Sequence, residues 1–150
     1  MKWLIRIGAC VALHLCEAAL FGPYQPQTAA AFATHISTRV SREGGLLLFL
    51  VWGLLRDATS AEHPGVFLVA ACAAWTTVAA LSYILRPTLP VLLAIHTTAL
   101  IAARLSYVLL ASLSNHTLLP ANLLPFILRT TPAALIVFLL TQPPPEEARA

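Results

Sequence analysis

The feature that most constrains this sequence is an uncharged stretch of 22 residues, from Pro64 to Leu85. A helix of about 20 apolar residues is long enough to cross the roughly 30 Å hydrocarbon layer of a membrane. The composition agrees, since 59% of the residues are hydrophobic, 10% are charged and the mean hydropathy is +0.81. A soluble domain would carry about 25% charged residues. The sequence therefore predicts an integral membrane protein.

Further apolar stretches predict an all-α fold, a polytopic helical membrane bundle of four to five transmembrane helices that forms one domain over residues 1–141. The predicted spans cover approximately residues 4–21, 39–56, 65–85, 90–113 and 119–140. Residues 142–150 include three consecutive prolines and two glutamates and are predicted to be a disordered tail. We expect a multi-pass protein of the endoplasmic reticulum or the plasma membrane.

The first segment has a second interpretation. Its basic start at Lys2 and Arg6, followed by apolar residues, resembles a signal peptide. Because His14 and Glu17 interrupt the apolar stretch, we favour a helix that is retained. Residues 22–38 contain Pro23 and Pro26 and predict a turn or loop before the second span.

The charges leave the orientation open. With five spans, three basic residues lie on one side (Lys2, Arg6 and Arg56) and four on the other (Arg39, Arg42, Arg86 and Arg149). Asn115-His116-Thr117 has the pattern of an N-glycosylation acceptor, on the same side as the N-terminus. A chance match of this tripeptide is the alternative.

Several classes of function and site are disfavoured. The basic residues are scattered singly, so we expect no nucleic-acid partner. The three cysteines form no CxxC pair and the five histidines show no zinc-ligand spacing, so we predict no metal site. We also predict no cofactor.

Ionisable residues within predicted spans are costly to bury and are therefore candidate functional residues. Glu17 lies three residues after His14, so the two side chains share a helix face and can exchange a proton. The alternative is a Glu17 that is solvated near the interface. Glu43, beside Arg42, is either a candidate catalytic group or a carboxylate that complements the start of a helix.

The fourth predicted span carries a stripe of residues at helical spacing: His96, Leu100, Ala103 and Tyr107. Arg104 lies at the edge of this stripe, and together these residues can hold an anionic or carbonyl-bearing lipophilic ligand. In the alternative interpretation, Arg104 bonds to backbone carbonyls near Pro120 or Pro125, and His96 bonds to a threonine.

The run Ser41-Arg42-Glu43-Gly44-Gly45, the polar segment from Arg56 to Pro64, and Arg86-Pro87 resemble two sets of small membrane proteins. One is the DoxX-like set of four-helix proteins, and the other is the ergosterol-biosynthesis scaffold family. The resemblance implies a non-catalytic tether or accessory protein and implies no site residues.

The favoured function is an accessory or scaffold subunit that associates with other membrane proteins, or with copies of itself, through alanine-rich faces such as that of Ala70, Ala71, Ala73 and Ala74. The alternative is an intramembrane isomerase or cyclase that acts on a lipophilic metabolite. In such an enzyme Glu17 or Glu43 transfers a proton, while Arg104 and His96 stabilise developing charge. The expected partners are the lipid bilayer, other membrane proteins and a lipophilic small molecule.

Overall fold

The structure is a computed structural model that describes residues 2–21, 27–60, 64–86, 88–116 and 119–141. Over these residues the regular secondary structure consists of α-helices, which confirms the all-α fold. The helices are α1 (Lys2–Phe21), α2 (Thr28–Ser37), α3 (Arg42–Thr59), α4 (Val66–Ile84), α5 (Leu89–Asn115) and α6 (Leu123–Leu140). The predicted disordered tail, residues 142–150, lies outside the described residues.

Four helices are long and apolar enough to cross a membrane: α1, α4, α5 and α6. Helix α3 has 18 residues but is more polar, because Arg42, Glu43, Arg56 and Asp57 lie near its two ends. The chain is thus a multi-pass membrane protein, with lipid-facing leucines and isoleucines along the outside of the bundle.

Helix α2 lies where the sequence predicted a turn or loop. It has only ten residues, yet it contacts each of the five other helices. Its alanines Ala29, Ala30, Ala31 and Ala33 are completely buried. Small side chains allow neighbouring helices to approach closely, so this alanine-rich helix forms the centre of the bundle.

Helices α1 and α3 run in the same direction. Trp3, near the start of α1, packs against Gly44 near the start of α3, and His14 bonds to Thr59 at the end of α3. Helix α2 must therefore return across the bundle between them, and Ser37 at its end lies beside Gly45.

Helices α4, α5 and α6 continue this alternation of helix direction along the chain. Asp57, near the end of α3, accepts hydrogen bonds from the backbone N–H groups of Phe67 and Leu68 at the start of α4. Because the helix directions alternate, the starts of α1 and α3 and the ends of α2 and α4 lie at the same end of the bundle. Four exposed basic residues lie there, and we call it the "cationic end": Lys2, Arg39, Arg42 and Arg86. Arg56 lies towards the opposite end. The five-span arrangement grouped Lys2 with Arg56 and separated it from Arg39, whereas the structure places Lys2 and Arg39 at the same end because α2 reverses the chain direction between α1 and α3. The side of the membrane that each end faces stays a prediction.

Helices α3 and α4 are packed tightly at Gly53. A Cβ atom added at Gly53 would lie 2.8 Å from the Cβ of Ala71 and 3.1 Å from the carbonyl oxygen of Phe67. Ala70, Ala71 and Ala74 are buried inside the bundle. The alanine-rich face of α4 is therefore largely occupied by the protein's own helices.

Candidate functional site

Two arginines from different helices line one pocket towards the end opposite the cationic end. The pocket's polar and aromatic lining comprises Gln27, Trp52, Arg56, Phe67, Arg104, Tyr107 and Phe126. We call it the arginine pocket. It holds about 40 Å³ of space for water-sized molecules, which is enough for a small polar group.

The two guanidinium groups are positioned by stacked rings. Arg56 lies over the ring of Phe67, with its Cζ 4.8 Å from the centroid, and Phe67 stacks on Tyr107 with 4.9 Å between centroids. Arg104 lies over Tyr107 at 5.1 Å. Cation–π attraction contributes at such contacts, so the two stacked rings help to hold both guanidinium groups in the pocket.

Local structure explains why these side chains meet. Trp52 and Arg56 are one turn apart on α3, so they share a face. Asp57 binds the backbone N–H of Phe67 and so fixes the start of α4. Arg104 donates its Nε–H to the carbonyl oxygen of Ala121 at 3.0 Å, directly after Pro120. The expectation that Arg104 bonds to a carbonyl near the prolines is confirmed.

The arginine pocket is rich in hydrogen-bond donors. The indole Nε1–H of Trp52 is buried and has no acceptor among the described residues, while the whole side chain is 4% exposed. The guanidinium groups of Arg56 and Arg104 line the same pocket as this indole group. An acceptor that carries a negative charge suits this arrangement best.

Glu17 has a structural role that the sequence did not indicate. One of its carboxylate oxygens, Oε1, accepts the backbone N–H of Thr28 at the start of α2. Gln27, the N-cap residue of α2, has a left-handed conformation and supplies no side-chain cap. A buried carboxylate from α1 thus caps α2 and complements the positive end of its dipole.

His14 does not bond to Glu17. Its Nε2 lies 3.0 Å from the hydroxyl oxygen of Thr59, which itself donates to the carbonyl of Leu55. Because a hydroxyl has one proton to donate, His14 donates from Nε2 and Thr59 accepts. The predicted proton-sharing pair of His14 and Glu17 is replaced by two separate bonds, each joining α1 to another helix.

His96 is completely enclosed in the middle of the bundle, with 1% of its surface exposed. Its Nδ1 lies 3.1 Å from the hydroxyl of Thr34, which donates to the carbonyl of Ala30. By the same argument His96 donates to Thr34, and this bond joins α5 to α2. The expectation of a threonine partner for His96 is confirmed. The rings of His96 and His35 both pack against Phe138.

Glu43 lies far from the other candidate catalytic residues. It is exposed in the first turn of α3, at the cationic end. Arg104 lines the arginine pocket, and Glu17 binds the backbone of Thr28 next to Gln27 of that pocket, whereas His96 is held by Thr34. The structure thus brings two of the four candidates near one pocket and separates the other two.

Arg56 and Trp52 are not among the site residues predicted from the sequence, where Arg56 begins a polar segment that ends at Pro64. The signal that was present is their spacing, because residues four apart in a helix share a face. The structure continues α3 to Thr59 and so places both residues in the pocket.

Asn115, the predicted glycosylation acceptor, is the exposed last residue of α5. Helix α5 runs parallel to α1, so Asn115 lies at the opposite end of the bundle from Lys2. The structure thus separates Asn115 from Lys2 along the bundle, whereas the five-span arrangement placed both on one side. Glycosylation itself stays a prediction.

Metal binding finds no support in the geometry. Among the described residues, no group of three or more His, Cys, Asp or Glu side chains is close enough to hold a metal ion. The cysteines Cys10, Cys16 and Cys72 are free thiols.

The fold and the pocket define a class, the small multi-pass helical membrane protein with paired arginines at one end of the bundle. No protein-family model, curated protein or solved structure matches the chain. The resemblance to the DoxX-like and ergosterol-scaffold proteins stays a prediction.

Proposed function

We propose that this protein binds a lipophilic small molecule through a carboxylate held between Arg56 and Arg104. The observation that carries the proposal is the presence of two guanidinium groups from different helices in one aromatic pocket of a membrane protein. A carboxylate accepts hydrogen bonds from guanidinium groups and from an indole N–H, so it also suits the buried Trp52.

A neighbouring groove supports a lipophilic remainder for the ligand. This apolar groove has about 550 Å³ of space and is lined by Phe21, Thr28, Arg129, Pro132, Ala133, Ile136 and Val137. Thr28 adjoins Gln27 of the arginine pocket, and Arg129 lies one turn after Phe126. Ligand sites in proteins commonly enclose about 300–1,000 Å³ and are mostly apolar with a few polar groups. In our proposal the carboxylate lies in the pocket and the apolar part of the ligand extends along the groove.

Binding is tested with oleic acid as the probe and its methyl ester as the uncharged comparison, in detergent at neutral pH. We expect oleate to bind at least about tenfold more tightly than the ester, because the ester lacks the charge. Arg104→Gln should abolish this preference, whereas Arg86→Gln, an exposed arginine at the cationic end, should leave it intact. Equal binding of acid and ester, or an unchanged preference in Arg104→Gln, would overturn the proposal.

The predicted accessory role depended on alanine-rich faces that contact other membrane proteins. Ala70, Ala71 and Ala74 pack inside the bundle, so association with partners would need the lipid-facing surface instead. The alternative of an isomerase or cyclase shares the lipophilic ligand with our proposal. It requires a proton-transfer group at the pocket, and the candidate is Glu17, which binds the N–H of Thr28 next to Gln27 of the pocket.

A further inference from the structure

A second cleft lies at the cationic end, where α2, α3 and α4 meet. It has about 220 Å³ of space, and its lining has comparable polar and apolar parts. The residues nearest the cationic end are Ser37 and Thr38 at the end of α2, Arg42 at the start of α3, and Ser82 and Tyr83 at the end of α4. We call it the serine cleft.

Two serine hydroxyls in this cleft stand apart from the other hydroxyls of the bundle. Threonines such as Thr34, Thr77 and Thr98 donate to the carbonyl four residues earlier in their helices. Ser37 and Ser82 make no such bond. Their Oγ atoms are buried and have no hydrogen-bond partner among the described residues. A buried hydroxyl without a partner is unfavourable, so an acceptor that reaches these atoms from the cleft would stabilise both.

Charge at this end favours an anion. Arg42 lines the cleft and lies over Tyr83, with its Cζ 5.9 Å from the ring centroid. Lys2, Arg39 and Arg86 are exposed at the same end, where Glu43 is the exposed acidic residue among those described. Basic residues at helix ends accumulate on the cytoplasmic side of membrane proteins, and that leaflet carries anionic lipids.

The part of the cleft farther from the cationic end is apolar. It is lined by three residues of α4 that precede Ser82 and Tyr83 by one to two turns: Trp75, Val78 and Ala79. Tyr83, next to the last residue of α4, is at a position typical of the membrane interface, whereas Trp75 lies at the middle of the helix and adds apolar surface. An amphiphile would therefore meet hydroxyls and a guanidinium at its head and apolar side chains below.

We propose that the serine cleft binds the phosphate group of an anionic phospholipid from the leaflet at the cationic end. Arg42 and the hydroxyls of Ser37 and Ser82 donate to the phosphate oxygens, and the acyl chains follow the apolar surface of α4. This site is separate from the arginine pocket, and it serves to anchor and orient the bundle in that leaflet.

The test measures lipid retention by native mass spectrometry of the full chain in mild detergent, with phosphatidylglycerol and phosphatidylcholine added in equal amounts. The expected result is a preference for phosphatidylglycerol of about tenfold in the unmodified protein. Arg42→Gln and the double variant Ser37→Ala/Ser82→Ala should each reduce that preference at least about threefold. Arg39→Gln removes the same charge at the same end outside the cleft and should keep the preference.

Three results would overturn the proposal. The first is equal retention of the two lipids by the unmodified protein. The second is an equal loss of preference in Arg39→Gln and Arg42→Gln, since that reports general surface charge instead of a site. The third is displacement of phosphatidylglycerol by millimolar inorganic phosphate, which would assign the cleft to a free anion. Ser37→Ala/Ser82→Ala removes no charge and no large side chain, so it keeps the test valid if an arginine variant folds poorly.

Discussion

The carboxylate of Glu17 accepts a hydrogen bond from the backbone N–H of Thr28, and so a residue of α1 caps the first turn of α2. This relationship ties the buried central helix to the helix that precedes it in the chain. It also explains why an acidic residue, only 4% exposed, is present in an otherwise apolar segment.

Loss of this cap should destabilise the protein whether or not a ligand is bound. We expect Glu17→Ala to lower the free energy of unfolding by about 0.5–2 kcal/mol, the range typical of helix N-cap deletions. Glu43→Ala is the control, because Glu43 is exposed in the first turn of α3, and it should cost less than half as much. Unfolding by sodium dodecyl sulfate titration in mixed micelles measures both. A Glu17→Ala protein as stable as Glu43→Ala would contradict the capping role.

The bond between Thr34 and His96 makes a similar prediction in the centre of the bundle. Thr34→Val keeps the shape of the side chain but leaves the Nδ1–H of His96 buried without an acceptor. We expect a loss of about 1–3 kcal/mol in the free energy of unfolding. Thr98→Val is the control. Thr98 also donates to the carbonyl four residues earlier, but it is exposed and has no partner on another helix among the described residues. Similar losses of unfolding free energy in the two valine variants would show that the hydrogen bond between His96 and Thr34 contributes little to stability.

Gly53 tests the packing of α3 against α4. An added methyl group would press on the backbone of Phe67 and Leu68 and on the Cβ of Ala71, so Gly53→Ala should lower the unfolding free energy by about 1–3 kcal/mol. Gly8 has open space around the position of its Cβ, and Gly8→Ala should be neutral or slightly stabilising because alanine favours helix. If both variants behave alike, the close approach of α3 and α4 is absent.

The orientation is testable by cysteine labelling in a background without Cys10, Cys16 and Cys72. Three single-cysteine variants, Lys2→Cys, Ser41→Cys and Asn115→Cys, report the two ends of the bundle. We expect positions 2 and 41 to be protected from an impermeant maleimide in intact cells, because basic ends lie in the cytoplasm, and position 115 to be labelled. Labelling of positions 2 and 41 from opposite sides would restore the five-span arrangement.

The sequence was sufficient for the long apolar helices, because uninterrupted hydrophobicity over a membrane-spanning length has few other interpretations. It was insufficient for α2. Ten residues with many alanines have little periodicity, and the preceding prolines indicated a loop. The helix is stabilised by burial among five neighbours and by the carboxylate of Glu17, which are tertiary contacts that a local pattern does not reveal. Omission of this reversal of chain direction then changed the end of the bundle to which every later segment was assigned.

The candidate site was predicted in part for a similar reason. The inward-facing stripe on α5 follows from helical spacing, and it correctly placed Leu100, Ala103 and Tyr107 towards the bundle. The second arginine could not be assigned, because Arg56 meets Arg104 only through the packing of α3, α4 and α5 around Phe67 and Tyr107. The spacing of residues along the sequence does not predict that Arg56 and Arg104 line the same pocket.

Photolabelling of the full chain in nanodiscs with a long-chain fatty acid that carries a diazirine tests the proposed function most directly. Our account predicts labelled peptides from the arginine pocket and the adjoining groove on α6, competition by excess oleic acid, and a loss of label of about tenfold or more in Arg56→Gln/Arg104→Gln. The Arg39→Gln protein should be labelled normally. Label spread evenly over the lipid-facing surfaces of the helices, and unchanged in the double variant, would contradict the claim that this pocket holds a carboxylate.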